Sequence, residues 1–316
     1  MIAHNNNHWP DIKPRLSILV PFLRDDPSPL LNALEAEQGD HDHRIEIILL
    51  DDGTRNETLT RQLTLQTNAS RYGVRLLTAE DNLGRAEGRN RLATEARGDN
   101  LLFIDADMLP DRSDFIRSWL RYVNSHNPQA CFGGFSVDQA PSDPRYAVHK
   151  HMARKSDCLP AHVRALKPEK HVFTSNLLIR KDVFAHHPFD AHFTGWGWED
   201  VEWSMRVAKS HTISHIENTA THMGLDTVPA LMEKYRQSAA NFARIVSLHP
   251  EFVAEYPSYL YARRFNRWGI TAAVRAVSAW VATQEMLPTP IRALALRFFR
   301  SALYAEALKP SLDAAR

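Results

Sequence analysis

An α/β fold, with a mostly parallel sheet flanked by helices and a helical C-terminal extension, is the architecture the sequence predicts. Three observations predict it. Four short apolar runs alternate with three helix-length segments within the first 107 residues, the spacing that crossovers between parallel strands require. The runs are almost wholly apolar, as strands buried on both faces are. From Thr227 onward, helical spacing punctuated by Pro250, Pro257, Pro288 and Pro290 takes over.

The elements follow in order. Leu16 to Val20 is a buried strand closed by Pro21, and Leu30 to Glu37 is a helix with Leu30, Leu31 and Leu34 on one face. Ile45 to Leu50 is the second strand, broken by Asp51-Asp52-Gly53, and Glu57 to Gln66 the second helix. Val74 to Leu77 is the third strand, followed by the turn Asp81-Asn82-Leu83-Gly84 and a helix from Arg85 to Ala96. Leu101 to Ile104 is the fourth strand and ends at Asp105-Ala106-Asp107. The stretch from Asp111 to Met223 is less regular, rich in Pro, Gly, His and aromatic residues, the composition of loops that carry function. Thr227 to Leu248, Ser258 to Glu285 and Ile291 to Leu308 are expected as three helices. The predicted organisation is a main unit over 1–225 and a helical region over 226–316.

Composition narrows the function classes. With 316 residues, 44% hydrophobic, the chain has the apolar material for a core and is not a disordered polymer. Its net charge of +1 gives no whole-molecule field for nucleic acid. Two cysteines, Cys131 and Cys158, read as thiols in a reducing compartment. The polar N-terminus lacks the apolar stretch of a secretory signal. The longest strongly apolar stretch near the front, Leu16 to Leu23, has eight residues, where a membrane span needs about 20. A cytoplasmic protein is expected. Charge is uneven: residues 257–316 hold nine Lys/Arg and three Asp/Glu, interleaved with Trp268, Trp280, Phe298 and Phe299. That pattern suits either a membrane-surface segment over 257–309 or a helical pack with exposed arginines.

Candidate chemistry gathers where an open α/β sheet binds ligands, at the carboxyl ends of its strands. Asp51 and Asp52 can reach a donor or a metal there, though Asp and Gly also make ordinary turns. Asp105-Ala106-Asp107 can turn two carboxylates toward one hard cation, Mg²⁺ or Mn²⁺, which such sites hold together with substrate phosphates. Asn82 and Gly84 precede a helix bearing Arg85, Arg89, Asn90 and Arg91, and both a guanidinium fork and a helix N-terminus favour phosphate; solvated surface arginines are the plainer alternative. Gly195-Trp196-Gly197-Trp198-Glu199-Asp200 sets two indoles beside carboxylates, a surface suited to sugars, with Glu199 or Asp200 able to take a hydroxyl proton. A helix start with acidic residues matched to its dipole would look the same. Glu202 and Arg206 are spaced as an ordinary helix pair, and His222 stands out only by following a strand-like stretch. No His-Glu-x-x-His, P-loop, Gly-x-Ser-x-Gly or Gly-x-Gly-x-x-Gly run occurs, which argues against zinc protease, NTPase, esterase and dehydrogenase.

Taken in order, Leu16–Phe22, Glu46–Thr54, Asp81–Asn90, Leu101–Asp107 and Ser175–Gly224 resemble a family 2 glycosyltransferase of the GT-A fold, over about 200 residues. Gly195–Asp200 also resembles the Trp-Gly…Glu-Asp segment of the β4-galactosyltransferase group and of bacterial chondroitin-type polymerases. The resemblance implies an inverting transferase with a nucleotide-diphospho-sugar donor, a UDP-sugar above all, and a Mn²⁺ or Mg²⁺ ion. It implies a nucleotide-binding half over 15–107, an acceptor half over 108–225, and a glycan or lipid-linked acceptor. On this reading Asp51 or Asp52 holds the nucleobase, Asp105 meets the ribose or the metal, and Arg89 faces the diphosphate. Pro21, Phe22, Arg24, Asn82 and Gly84 line the donor site. Asp107 is the main metal ligand and His222 completes the metal site. Asp200 is the general base, Glu199 binds the acceptor, and Trp196, Gly197 and Trp198 shape the acceptor site. The chain departs from the family in Phe22-Leu23-Arg24-Asp25 after Pro21 and in Trp198 where relatives often have Gly. A catalytically silent sugar-binding subunit and a sugar nucleotidyltransferase are the competing readings. The silent copy has no chemical need for Asp105, Asp107 and Asp200 together. The nucleotidyltransferase would want a glycine-rich loop where Pro21-Phe22-Leu23-Arg24 stands.

Overall fold

The computed structural model describes residues 1–39 and 42–313, so the last three residues of the predicted helical region lie outside the described residues. The strands are β1 (Ile2–Asn5), β2 (Leu16–Phe22), β3 (Ile45–Asp51), β4 (Gly73–Thr78), β5 (Asn100–Ile104), β6 (Met108–Pro110), β7 (Ala130–Phe132), β8 (Phe135–Ser136), β9 (Asn176–Arg180), β10 (Ile213–His215) and β11 (Ala220–His222). The helices up to the end of the sheets are α1 (Ser28–Ala36), α2 (Glu57–Ala69), α3 (Arg85–Glu95), α4 (Phe115–His126), α5 (Ala147–Ser156), α6 (Ala161–Arg164), α7 (Lys181–His186) and α8 (Glu199–Val207). Beyond them come α9 (Val228–Leu248), α10 (Pro250–Val253), α11 (Pro257–Trp268), α12 (Thr271–Thr283) and α13 (Thr289–Asp313).

The eight-stranded main sheet runs β1-β4-β3-β2-β5-β9-β7-β10. Its centre, β4-β3-β2-β5, is all parallel, and these are the four strands the sequence predicts. Both faces are covered, which is why the runs are continuously apolar rather than alternating. Leu16, Ile18, Val20 and Phe22 of β2 pack with α1, α2 and α4 on one side. Leu19 points to the other, where Leu92 of α3, Val183 of α7 and Trp203 of α8 gather.

The irregular middle supplies more sheet than its composition suggested. β9 pairs antiparallel with β5 and β7, and β10 runs parallel to β7; from the polar N-terminus, β1 closes the far edge antiparallel to β4. A three-stranded sheet, β6-β11-β8, lies beside the main one. Its register sets His222 opposite Met108, one residue after Asp107, so residues over a hundred positions apart meet.

The C-terminal region is helical, with one correction. The single helix expected over Ser258–Glu285 is two helices, α11 and α12. Gly269 adopts φ 67° between them, a left-handed stop that glycine accepts without a side-chain clash. Helices α9 to α13 share a third core with Phe193 and Met205, against which Trp196, Trp198 and Val201 also pack. No helix among the described residues is long and apolar enough to cross a membrane. Cys131 and Cys158 are both free, and burial pushes each thiol up to about 12.

Candidate active site

The first cluster lies at the end of β3. Asp51 Oδ1 accepts the Thr54 N–H at 2.8 Å. Asp52 accepts the N–H groups of Leu83 at 2.7 Å and Gly84 at 3.1 Å, one on each oxygen, while Asn82 Oδ1 accepts from Gly84 N–H at 2.7 Å. Asp52 thus ties the turn before α3 to the end of β3. Burial raises its carboxyl above the ordinary value, against the pull of those two N–H donors. Arg24, at φ 66°, donates its backbone N–H to Thr54 Oγ1 at 2.9 Å. Pro21 stands opposite Leu50. Phe22 departs from its expected donor-site role: it is only 4% exposed and lies in the core beneath the sheet. It shares the inward face of β2 with Ile18 and Val20, because strand side chains alternate.

The second cluster is a buried network of charges. Glu199 Oε1 accepts from Arg85 Nε at 2.5 Å and from Arg89 Nη1 at 3.5 Å. Arg89 Nη2 donates to Asp105 Oδ1 at 2.7 Å. Arg89 is 1% exposed, so its guanidinium braces Asp105 against Glu199 instead of projecting toward a diphosphate. Burial pushes the Glu199 carboxyl up, but the two guanidiniums outweigh it and leave it below its ordinary value. Asp200 differs. Its Oδ1 accepts the Val201 N–H at 2.8 Å, and no salt bridge reaches it among the described residues. Burial, reinforced by the charge of Glu199, pushes it up to about 7. Both carboxylates occupy the first turn of α8, where the helix dipole favours negative charge.

The third cluster surrounds Asp107. His222 Nε2 lies 3.0 Å from Asp107 Oδ2, and His222 Nδ1 is buried with no hydrogen-bond partner among the described residues. Burial raises the Asp107 carboxyl, yet the hydrogen bond and charge of His222 prevail and hold it low. The same contact lifts His222 above its ordinary value against burial. Gly224 makes room for the pair: a Cβ there would fall 2.0 Å from Asp107 Oδ2. The His149 ring centroid is 5.8 Å from that of His222, and burial, with the charge of His222, pushes His149 down to about 4. Its Nδ1 accepts the Asp226 N–H at 2.8 Å, and Lys234 Nζ donates to Asp226 Oδ2 at 2.7 Å. Asp25 feels the charges of Asp107, Asp105, Lys234 and His222. Sequence reasoning singled out none of Asp25, His149, Asp226 and Lys234.

Among the described residues, no group of three or more His, Cys, Asp and Glu is arranged to hold a metal ion. Asp107 and His222 do fit as a pair. Two ligands about 2.1 Å from an octahedral ion and at right angles lie about 3 Å apart, which is their separation. Hard divalent ions are commonly held by one or two protein groups and complete their shell from substrate phosphates.

The Gly195–Trp198 loop is fixed from the C-terminal side. Asn241 Nδ2 donates to the carbonyls of Thr194 at 2.8 Å and Gly197 at 2.9 Å. Trp198, at φ 78°, donates its indole N–H to Tyr304 Oη at 3.0 Å and packs beside Phe242 and Tyr256. Trp196 lies beside Tyr235 and Lys234. The predicted pair of Glu202 and Arg206 forms at 3.0 Å, and His249 joins it.

Residues 17–187, more than half of the chain, match the family Glycosyl transferase family 2. An uncharacterized glycosyltransferase of Bacillus subtilis (strain 168), YfnE, is 27% identical over 117 residues, which make up 37% of this chain and 29% of that protein. The chain therefore matches less than a third of the length of that relative. The fold is similar to mannosyltransferase PcManGT from Pyrobaculum calidifontis, solved in complex with GDP-Man and Mn²⁺. The TM-score is 0.58 at 16% identity, over 98% of this chain and 90% of that one. It is also similar to S. aureus TarS 1–349, with a TM-score of 0.51 at 15% identity, over 96% and 92% of the two chains. The chain belongs to glycosyl transferase family 2, and its fold is that of the GT-A glycosyltransferases.

Proposed function

We propose that the protein is an inverting, divalent-metal-dependent glycosyltransferase. It moves a sugar from a nucleotide-diphospho-sugar, in our reading a UDP-sugar, to a hydroxyl of a glycan or lipid-linked acceptor. Its setting is polysaccharide biosynthesis at the inner face of the cytoplasmic membrane, with 257–309 in peripheral contact. The observation that carries the proposal is Asp200. It is a carboxylate without a cation of its own, pushed up to about 7, beside a Glu199 already matched by Arg85 and Arg89. A base with that proton affinity works best near neutral pH.

The chain's own groups then divide the work. Asp200 takes the proton of the acceptor hydroxyl. The freed oxygen bonds to the anomeric carbon from the face opposite the diphosphate, and the old C–O bond breaks with its electrons on the diphosphate. Glu199 orients the acceptor, and Trp196, Gly197 and Trp198 shape its site in the manner of β4-galactosyltransferases. Asp51 or Asp52 holds the nucleobase next to the turn at Asn82 and Gly84, Asp105 meets the ribose or the metal, and Pro21 and Arg24 border the donor. Asp107 and His222 would hold Mn²⁺ or Mg²⁺, whose chemistry there is to neutralise the charge building on the departing diphosphate.

The test is nucleoside-diphosphate release from a panel of UDP- and GDP-sugars with Mn²⁺, with and without EDTA and an acceptor mixture. Metal-dependent release from one donor supports the reading and names the sugar. Asp200→Asn should cut transfer by about 10²–10⁴-fold with donor binding intact. Transfer near the wild-type rate would remove Asp200 as base, and EDTA-insensitive turnover would remove the metal.

A further inference from the structure

The C-terminal helices leave one apolar face uncovered. On α12, Ala273, Ala276, Val277 and Trp280 recur at i, i+3, i+4 and i+7 and all four are exposed, Val277 at 61% and Trp280 at 64%. In a helix packed on a core, that spacing marks the buried stripe. Here a different face of α12, through Ser278 and Ala282, is the buried one. Trp268 precedes the helix at 63% exposure and Met286 follows it fully exposed. Ile291 and Leu294, one turn apart at the start of α13, are exposed too. Single exposed apolar side chains are commonplace, but a run of this size with two indoles marks a contact surface.

Charge selects the partner. The only charged residue in α12 is Arg275, which pairs with Glu306 at 3.0 Å. The adjoining α11 exposes Arg263, Arg264 and Arg267. Of the eight Lys/Arg and two Asp/Glu across 257–309, Arg263, Arg264, Arg267, Arg275 and Lys309 are exposed, against the one exposed carboxylate of Glu285. A second copy of the chain would set this cationic surface against itself. A sheet of lipid phosphates would meet it with opposite charge, and indoles and arginines are the side chains suited to a headgroup boundary.

We propose that the exposed face of α12, with Trp268 and Met286 at its ends and the α11 arginines on its flank, seats peripherally on an anionic bilayer. It deepens the proposal of an acceptor at the membrane and rests on that reading. The contact is in-plane, since no described helix can span.

The experiment is flotation of the full-length protein with vesicles of phosphatidylcholine alone or with phosphatidylglycerol. Binding is expected only to the anionic vesicles and should weaken with added salt. The double variant Trp268→Ala/Trp280→Ala should lower vesicle binding by about tenfold or more. Arg263→Glu/Arg264→Glu/Arg267→Glu should abolish the preference for phosphatidylglycerol. All five positions are exposed, so both variants should keep the wild-type circular dichroism spectrum and melting temperature. Their metal-dependent nucleoside-diphosphate release in detergent-free buffer should also be unchanged. No binding to anionic vesicles, or equal binding by the tryptophan variant, overturns the proposal. So does a dimer in analytical ultracentrifugation that the same variant dissociates, which would make a second copy the occupant. Vesicle binding without release from any donor would instead count against the transferase reading and leave this surface standing.

Discussion

Asp200 takes its proton affinity from three neighbours of known sign. Burial and Glu199 raise it; Arg85 and Arg89 lower it. As the proposed base it must be ionised, so transfer should rise with pH and level off above about 7. Removing a cation that favours the carboxylate makes it a weaker acid, so Arg85→Gln should shift this acid limb to higher pH. Glu199→Gln removes a like charge and should shift it to lower pH. The check is the pH profile of kcat/KM for both variants, and an unmoved limb would assign it to another group. Gly224→Ala makes a different prediction. Its new Cβ would press on the Asp107 carboxylate, so metal-dependent donor binding should fall by about tenfold or more, in line with small misplacements of site groups. Titration calorimetry of nucleoside diphosphate with Mn²⁺ would read it. At this scale the sequence was legible where a residue stands at an element's end. Asp107 follows a strand and Asp200 opens a helix, and either position can be read locally. The bracing of Glu199 by Arg85 spans 114 positions, and Lys234 is one more lysine on an amphipathic helix until the fold brings it beside Asp226. The resemblance implies that Arg89 faces the diphosphate, whereas the fold sets its guanidinium against Asp105 and Glu199; nothing local in the sequence distinguishes a buried guanidinium from an exposed one.

Among elements, the parallel block was readable because strands covered on both faces are apolar throughout. β7, β8, β10 and β11 have two or three residues each, too few for any period to register, yet β11 is the strand that brings His222 to Asp107. The break between α11 and α12 was missed because one glycine inside helical spacing is a weak stop signal; its left-handed backbone, not its presence, ends the helix. Helix α9 reaches the Gly195–Trp198 loop through Asn241, which supplies both N–H donors for the carbonyls of Thr194 and Gly197. Asn241→Ala should cost about 1–3 kcal/mol by leaving those carbonyls unpaired, measured by urea unfolding. On the proposed function the acceptor KM should rise with the donor KM unchanged, because the hydrogen bonds of Asn241 go to Thr194 and Gly197. A stability loss with both constants unchanged would make the pin purely structural.

For the whole molecule, the division of labour follows the cores. Two clusters sandwich the main sheet and position the carboxylates; a third joins the C-terminal helices to the loop before α8. Residues 257–316 carry a net +6 and the remainder a net −5. The protein is thus polarised in charge as well as in fold, and its vesicle binding should fall with ionic strength while its donor KM stays nearly constant. That contrast, measured on one preparation across a salt series, separates surface attraction from events in the cleft. The hydrogen bond from Trp198 to Tyr304 spans 106 positions and has a further consequence. During synthesis the strand-end carboxylates can assemble once β11 (Ala220–His222) has been made, but the Trp198 indole finds Tyr304 only when the chain has grown 106 residues past Trp198. A nascent chain therefore completes its two sheets well before the Gly195–Trp198 loop gains its tie to α13. On the proposed function, that interval separates a chain able to hold a nucleotide-sugar from one able to pass the sugar on.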